Sequence, residues 1–334
     1  MIGSLLKRAI NVLRPAGVVL LYHRVRAAER DPQLLSVRPE VFESHVAMLR
    51  RRTALLPLVD LVEAATVSRL PKRAVAITFD DGYADNLQYA KPILSGHGAP
   101  ATVFAVSGAI SQQTEFWWDT LERALLDGAG RGHLELDLGN GVECWELDGA
   151  ADDAQWSVLS TEDPTPRHRA YRELMSRVKA LSPARRRAVL GEALRQLGVP
   201  EGPVAHTRPL TASELRELAE DGLVDIGAHS VSHPQLSSMS ASEQRMEMTS
   251  SRTALESIIG RPVRAFAYPY GSRADYTNES AAEAAAAGFS IACANVPGTI
   301  RGRLDRFQVP RVLVRNVPAS ALGEQLDRAF AGQF

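Results

Sequence analysis

Cysteine is almost missing from this chain: Cys144 and Cys293 are the only two in 334 residues, and they lie far apart. That excludes a disulfide framework and any CxxC pair. Two free, buried thiols in a reducing compartment are expected instead. No surplus of either charge exists, with 38 Lys and Arg against 39 Asp and Glu and a formal net charge of -1. A general nucleic-acid binder needs a basic excess to neutralise phosphates, so no nucleic-acid partner is expected. The basic runs Arg50 to Arg52 and Arg185 to Arg187 read as solvated helix faces.

Long hydrophobic runs are absent too, so no transmembrane segment is expected. The first residues, MIGSLLKRAINVLRPAG, lack the apolar core and small-residue cleavage site of a secretory signal. Lys7, Arg8 and Arg14 among apolar residues suit a short amphipathic helix ending before Pro15. Such a helix can make peripheral membrane contact, although packing against its own domain is the stronger expectation. The chain reads as cytoplasmic.

What is present is a regular alternation of strands and helices around one stretch, Ala74 to Tyr83, AVAITFDDGY. The apolar run Ala74 to Phe79 is too continuous for a half-exposed strand and reads as a buried parallel one. It stops at adjacent carboxylates, Asp80 and Asp81, and Gly82 permits a sharp turn there. The carboxyl end of a strand is where α/β folds bind ligands. Two neighbouring carboxylates repel, so both stay ionised cheaply only beside a cation.

Other strands are expected at Gly17 to Tyr22, Leu55 to Val59, Pro100 to Val106, Leu223 to Ala228, Val263 to Tyr268, Phe289 to Ala294 and Val309 to Val314. Helices fall between them, over Arg38 to Arg51, Leu61 to Ser68 and Asp85 to Gly96, with Pro92 a local irregularity. Capping boxes at Thr211/Glu214 and Ser240/Glu243 start two later helices. The rhythm breaks over 111–209. There Phe116, Trp117 and Trp118 open a helix through Leu126, a hairpin turns at Gly139-Asn140-Gly141, and helices follow at Arg167 to Leu181 and Pro183 to Leu197. The aromatic trio reads as a hydrophobic anchor in preference to a sugar-stacking surface. The pattern predicts an α/β fold: a TIM-like (β/α) barrel, incomplete at about seven strands, in one domain over 1–334 with a mostly helical insertion at 111–209 capping its mouth.

Two further strand ends carry chemistry-bearing residues. His23 follows the first strand, and His229-Ser230-Val231-Ser232-His233 follows the strand Leu223 to Ala228. Two imidazoles four residues apart face one way on a helical turn or in a compact loop. Two histidines and one carboxylate form a facial set for a divalent ion.

Thr78-Phe79-Asp80-Asp81-Gly82, His229 to His233, and Tyr268-Pro269-Tyr270-Gly271 together resemble the first three motifs of the polysaccharide deacetylases, the NodB-homology or carbohydrate esterase family 4 group. Leu20-Leu21-Tyr22-His23 resembles the circularly permuted branch that includes poly-N-acetylglucosamine deacetylases. The resemblance covers Val18 to about Val314 apart from the insertion. It implies that Asp81, His229 and His233 hold a divalent metal, zinc first, with Ni2+, Co2+ and Fe2+ as alternatives. It implies Asp80 as general base, His23 as general acid and the Tyr270 backbone N–H as oxyanion donor. The family motif often carries an arginine that tethers the base; here that position is Ala267. Arg311 is the expected substitute.

The activity so implied is metal-dependent removal of N-acetyl groups from a sugar in a polysaccharide, oligosaccharide or glycolipid precursor, the partner being an N-acetylated carbohydrate. An O-acetyl esterase using the same site is the alternative. A catalytically silent glycan binder is the third reading, disfavoured by the complete set of residues.

Overall fold

In the computed structural model, the structure describes residues 15–127, 132–149, 153–302 and 304–334. The expected amphipathic helix before Pro15 lies outside these residues. The strands in chain order are β1 (Gly17–Tyr22), β2 (Arg24–Val25), β3 (Ser36–Val37), β4 (Ala54–Leu55), β5 (Ala74–Phe79), β6 (Ala101–Ala105), β7 (His133–Asp137), β8 (Val142–Glu146), β9 (Val224–Ala228), β10 (Ala265–Ala267), β11 (Ile291–Cys293) and β12 (Val312–Leu313). Seven of them run β11-β10-β9-β6-β5-β1-β12 in one parallel sheet, and β4 pairs with the first two residues of β5. The sheet curls into an incomplete (β/α) barrel. Its edges approach through one segment: Val309 bridges Cys293 of β11, and Val312–Leu313 pair with Leu20–Leu21 of β1.

Side-chain alternation sorts the sheet into two faces. Val75, Ile77 and Phe79 of β5 pack outward with Leu20, Tyr22 and Phe266 against the helices. Ala74, Ala76, Ala265 and Ala267 pack inward around Phe104. The inner residues are small because one phenyl ring occupies much of the barrel. Continuing the inner register, Thr78 donates to the Leu20 carbonyl at 2.7 Å, and Asp80 stands next at the mouth.

Residues 106–223 separate the paired strands β6 and β9. Within them the β7–β8 hairpin and helices Trp117–Leu126, Pro166–Lys179 and Pro183–Leu197 share a core of their own, including Phe116, Trp118, Leu121, Trp145 and Tyr171. Tyr83, just after the Asp80-Asp81-Gly82 turn, belongs to that core as well.

Several expectations need correction. Leu55 to Val59 is not a strand: β4 ends at Leu55, and helix Leu58–Thr66 begins after Pro57. Proline's fixed φ suits a helix start, and Leu58, Leu61, Val62 and Ala65 then bury on one helical face. The ladder expected over Val263 to Tyr268 contains only Ala265–Ala267. A wide π-helical turn at Asn86–Ala90 precedes helix Lys91–His97, where Pro92 sits in the first turn. Cys144 is exposed in the hairpin, while Cys293 is buried. Arg186 turns inward and is buried, leaving Arg185 and Arg187 on the solvated face. The aromatic trio is buried, with Phe116 stacked on Trp118 at 5.0 Å, as an anchor.

Gly227 in β9 lies against Phe104: a Cβ there would stand 2.3 Å from the ring. Gly227→Ala should therefore destabilise the fold by about 1–3 kcal/mol through overpacking, read as a lower midpoint in denaturant unfolding. An unchanged midpoint would mean that the barrel interior has room to spare.

Candidate metal centre

The centre is built from strand ends. The Asp80 N–H donates to the Tyr22 carbonyl at 3.0 Å, extending the β5–β1 ladder and bringing His23 beside Asp80. The chain then turns abruptly. Asp81 and Gly82 both adopt positive φ, 75° and 81°, and a Cβ on Gly82 would press on Ala105 at 3.2 Å. This turn leaves the Asp81 carbonyl accepting from the Val106 N–H at 3.2 Å and swings its carboxylate across the mouth toward β9.

From β9 the His229 N–H donates to the Ala105 carbonyl at 3.0 Å, so His229 continues the ladder. The residues after it form a compact loop, with Ser230 and His233 at φ 65° and 51°. Three contacts hold that strained loop. Glu247, on helix Ala241–Ile259, accepts from the Val231 and Ser232 N–H groups at 2.8 and 2.9 Å. Ser251 donates to the Ser230 carbonyl at 2.9 Å. Gly108 approaches so closely that a Cβ would lie 2.4 Å from the Val231 oxygen.

Asp81, His229 and His233 thereby converge, each offering one ligand atom, with all three atoms within 4.8 Å of one another. Their approach to a common point is even: Asp81 Oδ1 lies 3.6 Å from His229 Nε2 and 3.5 Å from His233 Nε2. These spacings are too long for direct hydrogen bonds and suit three donors around one cation with bonds near ~2 Å. His229 Nδ1 lies 2.8 Å from the Ala267 carbonyl. A carbonyl only accepts, so the proton sits on Nδ1 and the Nε2 lone pair faces Asp81. Where the family motif often places an arginine, Ala267 thus orients a histidine through its backbone.

Electrostatics agree with a cation. Burial holds His229 below the ordinary imidazole value, against the pull of Asp80. Burial, reinforced by His229, holds His233 well below it. Both are neutral and able to ligate. Asp81 is pushed well up by burial and then by Asp80 and Asp119, which marks a carboxylate short of positive charge. Asp80 differs. Burial pushes it up, but Arg311, His229 and His23 together outweigh burial and hold it below its ordinary value. Arg311 is wholly buried over Phe104 and grips both Asp80 oxygens, at 2.6 and 2.7 Å.

His23 is half-buried at the tip of β1. Desolvation in the cleft lowers its imidazole to about 4, against the pull of Asp80. Tyr270 has φ 60°, and no group among the described residues accepts its N–H. Its ring packs on His233 at 4.5 Å, and its hydroxyl accepts from Trp117 Nε1 at 3.0 Å.

Sequence reasoning missed a buried network behind the centre. Arg24 pairs with Asp85 at 3.0 Å and stands 3.6 Å from Asp119. Tyr83 donates to Asp119 at 2.7 Å. It also missed Glu247 and Arg186. Only Tyr83 borders a distinctive motif, and only the folded chain brings the others to the centre.

The family model for polysaccharide deacetylase matches residues 68–132 and 193–291, breaking across the middle of the insertion. The chain belongs to the polysaccharide deacetylase family. Among family members, it is 28% identical over 136 residues to YxkH of Bacillus subtilis, which carries a polysaccharide deacetylase name; the match covers 38% of this chain and 47% of that one. It is 30% identical over 111 residues to the poly-beta-1,6-N-acetyl-D-glucosamine N-deacetylase of Staphylococcus aureus, covering 29% of this chain and 38% of the relative. The chain thus spans less than half the length of the curated relatives it matches. The deacetylase PplD of Streptococcus pyogenes, solved with acetate, shares the fold with a TM-score of 0.60 at 17% identity, covering 94% of this chain and 99% of that one. IcaB from Ammonifex degensii does so with 0.59 at 17%, covering 95% and 97%.

Three outcomes follow. Arg311→Met strands a buried carboxylate and should cost about 3–5 kcal/mol, measured by denaturant unfolding. Zinc should raise the melting temperature by binding the native state, and more at pH 8 than at pH 6. Asp81 has a raised folded pKa, so its proton competes with the cation increasingly as pH falls. Conversely, the metal-free protein should lose the contributions of His23, His229 and His233 as pH drops below about 6.5, because the unfolded chain takes up those protons first. A zinc-induced shift of equal size at both pH values would contradict this account.

Proposed function

We propose that the protein is a metal-dependent carbohydrate de-N-acetylase, hydrolysing the acetamido group of an N-acetylated sugar in a glycan or glycolipid precursor. The observation that carries the reading is the convergence of Asp81, His229 and His233 beside a second, separately charged carboxylate, Asp80. One carboxylate is free for a cation while the other is held ionised by Arg311. When bound, a divalent ion lowers the pKa of water toward ~7 and polarises the acyl carbonyl.

In this reading the chain's own residues divide the remaining work. Asp80 accepts a proton from water. Its lowered pKa makes it a weak base, sufficient only because the cation acidifies the water, and keeps it ionised well below neutrality. His23, adjacent in register, returns a proton to the leaving nitrogen. It is neutral at pH 7 in the free site, so the proton it delivers is the one Asp80 took from water and passed to it, which returns both groups to their starting states. The unpaired Tyr270 N–H donates to the oxygen that gains charge at the acyl carbon. The insertion closes the mouth from above through Trp117 and Trp118, the latter edge-on to His233 at 4.8 Å. The names of the staphylococcal relatives favour an N-acetylglucosamine-containing substrate.

The test is acetate release from N-acetylated sugar nucleotides, lipid-linked sugars and oligosaccharides by the zinc-loaded protein. Asp80→Asn should lower kcat by about 10²–10⁴-fold, the usual range for losing a general base, without loss of bound zinc. Retained activity would sink the base assignment, and no acetate release by the native protein would sink the deacetylase reading. His23→Ala should slow amide cleavage far more than cleavage of an acetyl ester, since an alcohol needs less help to leave. Equal losses would remove His23 from the acid role.

A further inference from the structure

A cavity of about 520 Å³ adjoins the metal centre, between helices Ser107–Gln112, Trp117–Leu126 and Pro183–Leu197 and the loop Val231 to His233. It touches His233 on one side, and Phe116, Trp117, Leu190 and Leu194 line its apolar walls. Arg186 also lines it, and only 3% of its surface is exposed.

Arg186 is charged, buried and without a counter-ion. Its terminal nitrogens donate to the carbonyls of His233, Lys179 and Leu181, each at 3.2 Å. No carboxylate among the described residues lies within ion-pair distance of it, and its Nε–H is buried with no partner. The two acids on the cavity wall do not serve. Glu115 is gripped by Arg123 and receives the Thr207 hydroxyl, and Glu201 is exposed to solvent. The Trp117 ring, 5.2 Å from its Cζ, is a further partner but carries no net charge, and a buried cation without a counter-ion is costly. The amino end of helix Pro183–Leu197 adds positive potential at the same wall, and exposed Arg187 adds a further cation. The family motifs account for none of this.

We propose that this cavity is a subsite for an anionic group, phosphate or carboxylate, carried on the glycan next to the acetylated sugar, with Arg186 as its buried counter-charge. The cavity's volume accommodates one substituted sugar unit. The apolar walls receive the ring's C–H face, and the Arg186 Nε–H donates to an anion oxygen. Attachment to the glycan rests on the deacetylase reading; the anion site does not.

The decisive probe is inorganic phosphate titrated calorimetrically into the metal-free protein, where no cation in the Asp81 site can hold it. The native protein should bind it saturably. Arg186→Met should weaken binding at least tenfold, as loss of a charged hydrogen bond implies. Leu190→Trp, which fills the cavity but keeps the cation, should weaken it similarly, and thermal unfolding checks that each variant is folded. On the zinc-loaded protein, Arg186→Met should raise KM about tenfold for phosphorylated or carboxylated N-acetyl oligosaccharides. Whatever it does to kcat through the His233 carbonyl, it should change KM for neutral ones far less, and comparing the two anionic substrates separates phosphate from carboxylate. Phosphate binding that is absent in the native protein, or equal in both variants, overturns the proposal, as does an equal KM change for neutral and anionic substrates. Arg186-dependent phosphate binding without acetate release from any substrate would retain the anion site and reject the deacetylase reading.

Discussion

The structure turns on the paired grip of Arg311 on Asp80. A carboxylate at the mouth of a buried sheet, next to another carboxylate, is untenable without positive charge of its own. Arg311 supplies it from 231 residues away, wholly buried and bound to both oxygens. It lies between Val309, which bridges β11, and β12, which pairs with β1. The segment that draws the sheet edges together therefore also fixes the charge of Asp80. The Ala294 carbonyl, 3.1 Å from its Nε, holds the guanidinium in place.

Once Asp80 is neutralised, Asp81 is the uncompensated carboxylate. Its left-handed backbone aims it away from its neighbour and toward two histidines that burial keeps neutral. Two chemically identical side chains, adjacent in sequence, thereby acquire opposite electrostatic characters. Strain supports the arrangement: Asp81, Ser230, His233 and Tyr270 all have positive φ. Backbone strain of this kind persists only where surrounding contacts over-determine it. Glu247, Ser251 and Gly108 do that for the histidine loop, and Trp118 and Arg186 reach the same loop from the insertion.

The strand ends were legible in the sequence because an apolar run that stops at a charged or imidazole side chain is a local signal. β5 with Asp80 and Asp81, and β9 with His229, could be read from a few residues each. Arg311 could be nominated only through the family resemblance, whose motif often carries an arginine where this chain has Ala267. Where local and tertiary signals competed, the reading failed. Leu55 to Val59 looked strand-like, but Pro57 and a helical burial face prevailed. Arg186 looked solvated among charged neighbours, because its inward turn depends on helix packing within the insertion. Glu247 gave no signal at all, since its partners are the backbone N–H groups and the Ser232 hydroxyl of a loop with no regular periodicity.

X-ray absorption at the zinc edge of the reconstituted protein tests the central claim most directly. The account predicts one zinc per chain with two imidazole nitrogens and a carboxylate oxygen at about 2.0–2.2 Å, and loss of that signature in His233→Ala. Zinc that fails to bind stoichiometrically, or an unchanged coordination shell in His233→Ala, would contradict it.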